Sequence, residues 1–442
     1  MKKVSLMVFL AVFSLTAAAQ NPQKLSLTLQ QAKDYAVEYN RTLQNASLDV
    51  KKAHAVRWQT IATMLPNVTA GYAYQNSMGY EIAMENITKN PLTGQDTTVT
   101  TKFPMPPNGN FTIQVGVQIS GAQIVGALLQ NIAVEMADIS KKQTEQTTNS
   151  TTTQLYMSAL ANQQIVNLLN ANKSNVEKMY NSTLEAVKVG SMEQTEADKI
   201  YVQVMKIESG LNSAQRGLEI LYNSLKLHLG INADMQLELV DNLDNFTNAE
   251  AALELLHTDF NINQNYNYQL LKNNLKLSKR QVTLAGMDYL PSVTVGYQYS
   301  NLKYFSEKGG GFRMTPPNAF SLSVSMPLFT SGRTFEKIAE KKIDYQKAKN
   351  SFDDTENQLK IQDKQLRYDL NSSYENFQIQ KKNIEVTQRV FNNVSEKFNY
   401  GKASSLEVTQ ASTDFISAQN SYIQSLIDMV NAQVALRNLL NK

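Results

Sequence analysis

The sequence predicts a mixed, internally duplicated fold: a transmembrane β-barrel, to which each chain gives four strands, continued by very long α-helices. Three observations carry this. A ten-residue stretch occurs twice, as Leu65-Pro66-Asn67-Val68-Thr69-Ala70-Gly71-Tyr72-Ala73-Tyr74 and as Leu290-Pro291-Ser292-Val293-Thr294-Val295-Gly296-Tyr297-Gln298-Tyr299, with seven positions identical at an offset of 225 residues. Both copies, and a second run downstream of each, alternate apolar and polar residues. Long proline-free tracts of helix-compatible sequence follow. A shared period of this kind marks a duplicated unit of structure.

The strands rest on their period of two. Val68, Ala70, Tyr72 and Tyr74 alternate with Thr69, Gly71, Ala73 and Gln75, and Val293, Val295, Tyr297 and Tyr299 with Thr294, Gly296, Gln298 and Ser300. Downstream, Phe111, Ile113, Val115, Val117 and Ile119 alternate with Thr112, Gln114, Gly116, Gln118 and Ser120. Phe320, Leu322, Val324, Met326 and Leu328 do the same with Ser321, Ser323, Ser325 and Pro327. Such alternation gives a strand one apolar and one polar face. The polar sets are small and almost uncharged. Four strands of about ten residues, apolar on one side only, suit a membrane barrel.

The beginning of the chain reads as an export signal over residues 1–19: Lys2 and Lys3, the apolar run from Val4 to Leu15, then Ala17-Ala18-Ala19. That run is too short to span as a helix, and no later stretch reaches the required length of about 20 residues. A barrel is then the one spanning option, because lipid leaves unpaired backbone groups unsatisfied. Cysteine is absent, which excludes disulfides, thiolate metal sites and a cysteine nucleophile. The net charge of +3 falls to about +1 without Lys2 and Lys3, so no nucleic-acid partner is expected. His54, His228 and His257 lack ligand spacing. Gly309-Gly310-Gly311 lacks the Lys-Ser/Thr of a phosphate loop and reads as an external loop. Glu336, Lys337, Glu340 and Lys341 form i,i+4 neighbours of a solvated face. No nucleophile–base pair stands out, and neither an enzyme nor a cofactor is expected.

In order, apolar residues recur at helical spacing from Leu27 to about Met64, and Pro66 ends that helix. A strand follows, then a loop over 76–110 rich in Asn, Thr and Pro, then a strand over 111–120. Helix is expected from Gly121 to about Val189, a break at Gly190, and helix again over 193–229. These elements make a first repeat over 20–230. Residues 231–262 form a connecting, equatorial segment with a short helix at 249–256. The second repeat, 263–442, follows the same plan: helix 264–289, strand from 291, loop, strand 320–329, helix 331–399, Gly401, helix 404–440.

The long helices, about 68 residues each, would reach roughly 100 Å at 1.5 Å per residue. The two shorter helices of each repeat sum to a similar length and would match them if stacked end to end. Such a height suits a conduit across a wide aqueous gap. Ser191 lies three residues before Gln194, and Ser404 three before Glu407, each after a glycine suited to a C′ position. Both read as capping boxes that define sharp hairpin tips, about 100 Å from the membrane. Tyr80 and Tyr304 fall where an interfacial girdle would sit. Four strands cannot close a barrel, and eight would leave room only for side chains. A cyclic trimer of twelve strands is the smallest odd assembly with an open lumen.

Over essentially the whole mature chain these residues resemble the TolC-like outer-membrane efflux family. Leu25-Ser26-Leu27 with Ala32, Ala36 and Asn40 looks like that family's first helix, and Leu65-Pro66 and Leu290-Pro291 like its helix-to-strand entry. Met326-Pro327-Leu328-Phe329-Thr330-Ser331-Gly332-Arg333 is similar to its strand-to-helix motif, from which Ile119-Ser120-Gly121-Ala122 in the first repeat departs. Phe398, Gly401, Leu406, Glu407 and Ala411 match its tip pattern. The resemblance implies a homotrimeric barrel in outer-membrane lipid, continued by a coiled-coil α-helical barrel in the periplasm. It also implies tips that dock a periplasmic adaptor linked to an inner-membrane pump. The docking positions would be Val189, Gly190 and Ser191 on one tip and Tyr400, Gly401, Lys402 and Leu406 on the other. In the best-known members two acidic positions ring the closed entrance. Here the first falls on Glu407 and the second on Gln410, while an arginine of the same network falls on Ala403. Glu196 reads as helix surface. The expected function is passive conduction of small molecules such as drugs. A duct for protein secretion and a non-conducting, barrel-anchored scaffold or receptor are the alternatives.

Overall fold

The computed structural model describes residues 24–92, 94–247, 250–305 and 316–442. The export signal and Gly309–Gly311 lie outside them. The chain runs β1 (Lys24–Leu27), α1 (Leu29–Tyr39), α2 (Arg41–Ala62), β2 (Asn67–Gln75), β3 (Glu81–Lys89), β4 (Asp96–Pro104), β5 (Asn108–Ile119) and α3 (Gly121–Lys188). It continues α4 (Gln194–Leu229), β6 (Gln236–Leu239), α5 (Glu250–Leu256), α6 (Tyr266–Gly286), β7 (Ser292–Tyr304), β8 (Asn318–Ser325), α7 (Arg333–Asn399) and α8 (Ser405–Leu440). The two long helices have 68 and 67 residues. Compact packing divides the chain into two units that each draw on both repeats. One takes the chain up to Ser47 with Lys141–Tyr266 and Glu356–Lys442, the other Leu48–Ser140 with Asn267–Thr355.

The second unit holds a four-stranded antiparallel sheet in the order β2-β5-β7-β8. Its register brings like residues into rows. Val68, Val115, Tyr297 and Phe320 pair in one row, and Val117, Val295 and Leu322 in another. Between them lies the row Asn67–Gly116–Gly296–Ser321, and on either side the rows Thr69–Gln114–Gln298–Ala319 and Gln118–Thr294–Ser323. One face is therefore apolar and the other neutral and polar. A one-residue slip would exchange them, so the register is fixed wherever one face is buried. The apolar row is exposed on the single chain: Val68 68%, Tyr297 44%, Phe320 73%.

The sheet corrects several expectations. The loop between the first two strands contains a separate hairpin, β3–β4, paired from Glu81↔Pro104 to Lys89↔Asp96. Ile82, Met84, Val99 and Phe103 share one face of it, a period-two signal broken by Ala83 and Ile87 and diluted by threonines. β7 runs to Tyr304, so that residue ends a strand and does not lie beyond one. β8 stops at Ser325, because Pro327 has no N–H to donate to the ladder. The strand-to-helix step of the first repeat is a capping box: Ser120 N–H donates to Gln123 Oε1 at 3.0 Å, and Gln123 N–H to Ser120 Oγ at 3.3 Å.

In the first unit, Leu27 belongs to a strand and the first helix is two. β1 pairs in parallel with β6, from Lys24↔Gln236 to Leu27↔Leu239. Thr28 then opens α1 with a capping box to Gln31. Asn40 separates α1 from α2. Its Nδ2 donates to the His228 carbonyl at 2.7 Å, and its Oδ1 accepts from Leu43 N–H at 3.0 Å. Asn265, 225 residues on, repeats the first bond: its Nδ2 donates to the Leu439 carbonyl at 3.1 Å. His228 and Leu439 are the penultimate residues of α4 and α8. The duplication thus preserves a hydrogen bond as well as a motif.

Around β1 and β6 lies the largest core of this unit, with Leu27, Ala32, Ala36, Tyr156, Leu229, Phe377, Leu426 and Met429 buried together. Tyr156 is fully buried, and its hydroxyl donates to Leu27 O at 3.0 Å or Asp241 Oδ2 at 2.9 Å. Asp241 Oδ2 also accepts from Leu29 N–H at 2.7 Å. Burial, then the bond to Asp241, raise the phenol's pKa. Elsewhere Arg367 crosses from α7 to donate to the Leu256 carbonyl at 2.6 Å, closing the end of α5.

Candidate functional site

Both helical tips lie in the first unit and share one mechanism of termination. At the end of α3, Gly190 N–H bonds Val187 O and Ser191 N–H bonds Ala186 O, each at 2.9 Å. At the end of α7, Gly401 N–H bonds Phe398 O and Lys402 N–H bonds Lys397 O, each at 2.8 Å. These are paired Schellman bonds, which need a left-handed residue at C′. Gly190 and Gly401 supply it, with φ of 73° and 70°.

The tips differ in how the next helix begins. Ser404 forms the expected capping box: its N–H donates to Glu407 Oε2 at 2.7 Å, and Glu407 N–H to its Oγ at 3.3 Å. The box predicted at Ser191 does not form. The N-cap of α4 is Glu193, without a side-chain cap, and Ser191 Oγ instead donates back to Ala186 O at 2.9 Å. Ser191 lies inside the Schellman turn, so its hydroxyl serves the helix that ends and not the one that starts.

Under the tips one apolar core joins both hairpins: Met179, Ile200, Val204, Phe398 and Val408 are buried, with Met192 and Ala403 packed against them. Ala403 thus serves as core where the related network would place an arginine. Above it the large apolar side chains point outward, with Val189 79% exposed, Tyr400 72% and Leu406 66%. Two tips that expose three such groups over a shared core offer a compact apolar contact surface, and apolar groups of this kind anchor protein interfaces.

Glu196 corrects the sequence reading. Its Oε2 accepts a short hydrogen bond from Ser405 Oγ, the fully buried first residue of α8, and its Oε1 pairs with Lys199 at 2.6 Å. Lys199, then Ser405, hold the carboxyl below the usual carboxylate range. This acid ties α4 to α8 across 209 residues of sequence, a relation that no local pattern signals. Glu407 is exposed, and the Ser404 backbone N–H, then its hydroxyl, lower its pKa. Gln410 donates to Asp414 Oδ1 at 2.8 Å. The second acid near Glu407 is therefore Asp414, a heptad away, which the spacing alone could have shown. Among the histidines, His228 Nε2 lies 3.1 Å from both Thr148 O and Thr152 Oγ1, a place within the helix packing.

An open sheet, apolar on one face and neutral on the other, joined in one chain to helices of this length, defines the fold of an outer-membrane channel. Solved structures share it. The outer membrane protein VceC from Vibrio cholerae aligns with a TM-score of 0.72 at 13% identity, covering 93% of this chain and 95% of its own. The outer membrane channel MtrE from Neisseria gonorrhoeae, in its open state, gives 0.73 at 14%, over 93% and 88%. CusC gives 0.72 at 15%, over 93% and 91%. No curated protein matches in sequence. Residues 265–442 match the model of the family described as outer membrane efflux protein. The resemblance to outer-membrane efflux proteins is thereby upheld, and with it a place in the outer membrane, extending into the periplasm.

Proposed function

We propose that three copies of this chain close a twelve-stranded barrel and form a passive export duct, fed at its tips by a periplasmic adaptor and an inner-membrane pump. The observation that carries this is the sheet. Among the described residues β2 and β8 are unpaired edges, and an unpaired edge is not tolerated in lipid. Pairing β2 of one copy with β8 of the next removes both edges and leaves the neutral rows facing a lumen. Twelve strands exceed the eight whose interior side chains fill. A wall of Thr, Ser, Gln and Gly holds little chemistry with which to select, so cargo choice falls to the pump. Small molecules such as drugs are the cargo class most in keeping with the efflux family.

Val189, Gly190, Ser191, Tyr400, Gly401, Lys402 and Leu406 are the proposed docking positions, and Glu407 with Gln410 line the entrance. Single-channel recording in a planar bilayer tests the duct: a trimer that inserts without conducting would favour a membrane-anchored scaffold. A cysteine at Ser191 or Lys402, unique in this chain, carries a photo-crosslinker to test the docking. Capture of an adaptor from either site supports it, and capture of none by a folded trimer refutes it.

A further inference from the structure

The turn between β8 and α7 does something the chain's topology does not require. The first repeat passes from strand to helix directly, through the Ser120 capping box. The second uses residues 326–332, and in doing so places Ser331 at φ 51° and Gly332 at φ 81°. These are the central residues of a turn closed by Arg333 N–H to Thr330 O at 3.0 Å, and a mirror-image type I turn needs positive φ at both.

The turn displays Leu328, 91% exposed, and Phe329, 87% exposed. Phe320, Leu322 and Val324 are exposed on the apolar face of the sheet, and Met326 and Leu328, exposed as well, keep the same spacing in sequence beyond the end of β8. A run of exposed apolar side chains thus leads from the sheet through Met326, Leu328 and Phe329 to Phe335. Beside these groups stands Arg333, exposed, with no hydrogen bond or ion pair from its guanidinium among the described residues. Lys337, the next cation, is matched by Asp288 at 2.7 Å, and no ion pair joins Arg333 to Glu336. A cation at the first position of a helix opposes the helix dipole, so Arg333 is not there for the helix.

We propose that this turn seats an anionic phospholipid of the periplasmic leaflet, with Leu328, Phe329 and Phe335 against its acyl chains and the Arg333 guanidinium on its phosphate. Apolar groups that continue a lipid-facing stripe and end at an unpaired arginine match the two parts of that ligand. Arginine also suits phosphate through its forked donors. The inference rests on the sheet lying in the membrane and not on conduction, so a chain that fails to conduct can still satisfy it.

Trp58 is the chain's single tryptophan, which makes a spectroscopic test clean. Phe329→Trp in a Trp58→Phe background is reconstituted in vesicles after its assembled mass in detergent is shown to equal that of the unaltered chain. Quenching by acyl-chain-brominated phospholipid, with protection from aqueous iodide, is the expected result. Quenching by iodide alone overturns the proposal. Protection from both quenchers also overturns it, since the turn is then covered by protein, a second copy included. If Phe329→Trp does not assemble, Leu328→Trp gives the same reading. Adding Arg333→Gln should lower the preference for brominated phosphatidylglycerol over brominated phosphatidylcholine by about fivefold. An unchanged preference refutes the headgroup contact.

Discussion

Asn40→Ala would remove a bond to the end of α4 and the cap of α2 in one step. The Oδ1 that caps Leu43 N–H contributes about 1 kcal/mol by analogy with other caps. Loss of the Nδ2 that satisfies the His228 carbonyl leaves that carbonyl orphaned, which costs about 1–3 kcal/mol where water cannot reach. Asn40 is only 5% exposed, so water replaces little of either bond. The local loss is then about 2–4 kcal/mol. Amide hydrogen exchange reads it directly, because local opening tracks local free energy. The first turn of α2 and the last turn of α4 should exchange about thirty to several hundred times faster. The duplication supplies the control. Asn265→Ala should loosen the last turn of α8, where Leu439 loses its donor, and leave α4 unchanged. Equal loosening of both ends by either variant, or of neither, would refute the claim that each asparagine locks its own repeat.

Tyr156→Phe deletes the hydroxyl shared by Leu27 O and Asp241 and should destabilise the first unit by about 1–3 kcal/mol, seen as a lower melting midpoint by circular dichroism. Glu196 has a lowered pKa, so its tie to Ser405 is fully present above the ordinary carboxylate range and is lost as pH falls through the depressed value. Exchange at the start of α8 should therefore accelerate in acid, and Ser405→Ala should remove most of that pH dependence. Glu407→Gln should lower cation preference if three copies ring the entrance, and an unmoved reversal potential would count against the ring. Gly401→Ala forces a side chain into φ 70° and should fray the α7 tip by about 1–2 kcal/mol, measured as faster exchange there.

Most of the fold was legible because it obeys two periods. The barrel strands show alternation, and α3, α4, α6, α7 and α8 show helix with a glycine or proline close to at least one end. The elements missed are those where a weak signal met a strong neighbour. β1 is only four residues long and its partner is β6, more than 200 residues away, so Leu27 read as the start of a helix. The β3–β4 hairpin alternates, but its threonines and asparagines look like loop. At the tips the glycines and Ser404 were readable because their bonds are local. Glu196 and Ser405 were not, since each looks like an ordinary position of its own helix until α4 and α8 are packed together.

The duplication shows which features the architecture needs and which serve something else. Both repeats keep the asparagine lock, the Leu-Pro entry and the glycine that turns each tip, at positions where backbone geometry leaves few substitutes. They differ at the strand-to-helix step and at the start of the following helix. Ser120 makes the first step locally, whereas the second repeat inserts a positive-φ turn after a segment that exposes Leu328 and Phe329. Likewise Ser404 caps α8 with Glu407, while Glu193 opens α4 without a cap and Glu196 reaches across to Ser405. Were these divergences neutral drift, the costlier local solution would carry no compensating contact. Each is instead accompanied by a further feature: an apolar surface next to an arginine whose guanidinium has no partner among the described residues in one case, and a bond between two tip hairpins in the other. Function is therefore to be sought where the repeats disagree, and Arg333 with the Glu196–Ser405 tie are the first places to test it.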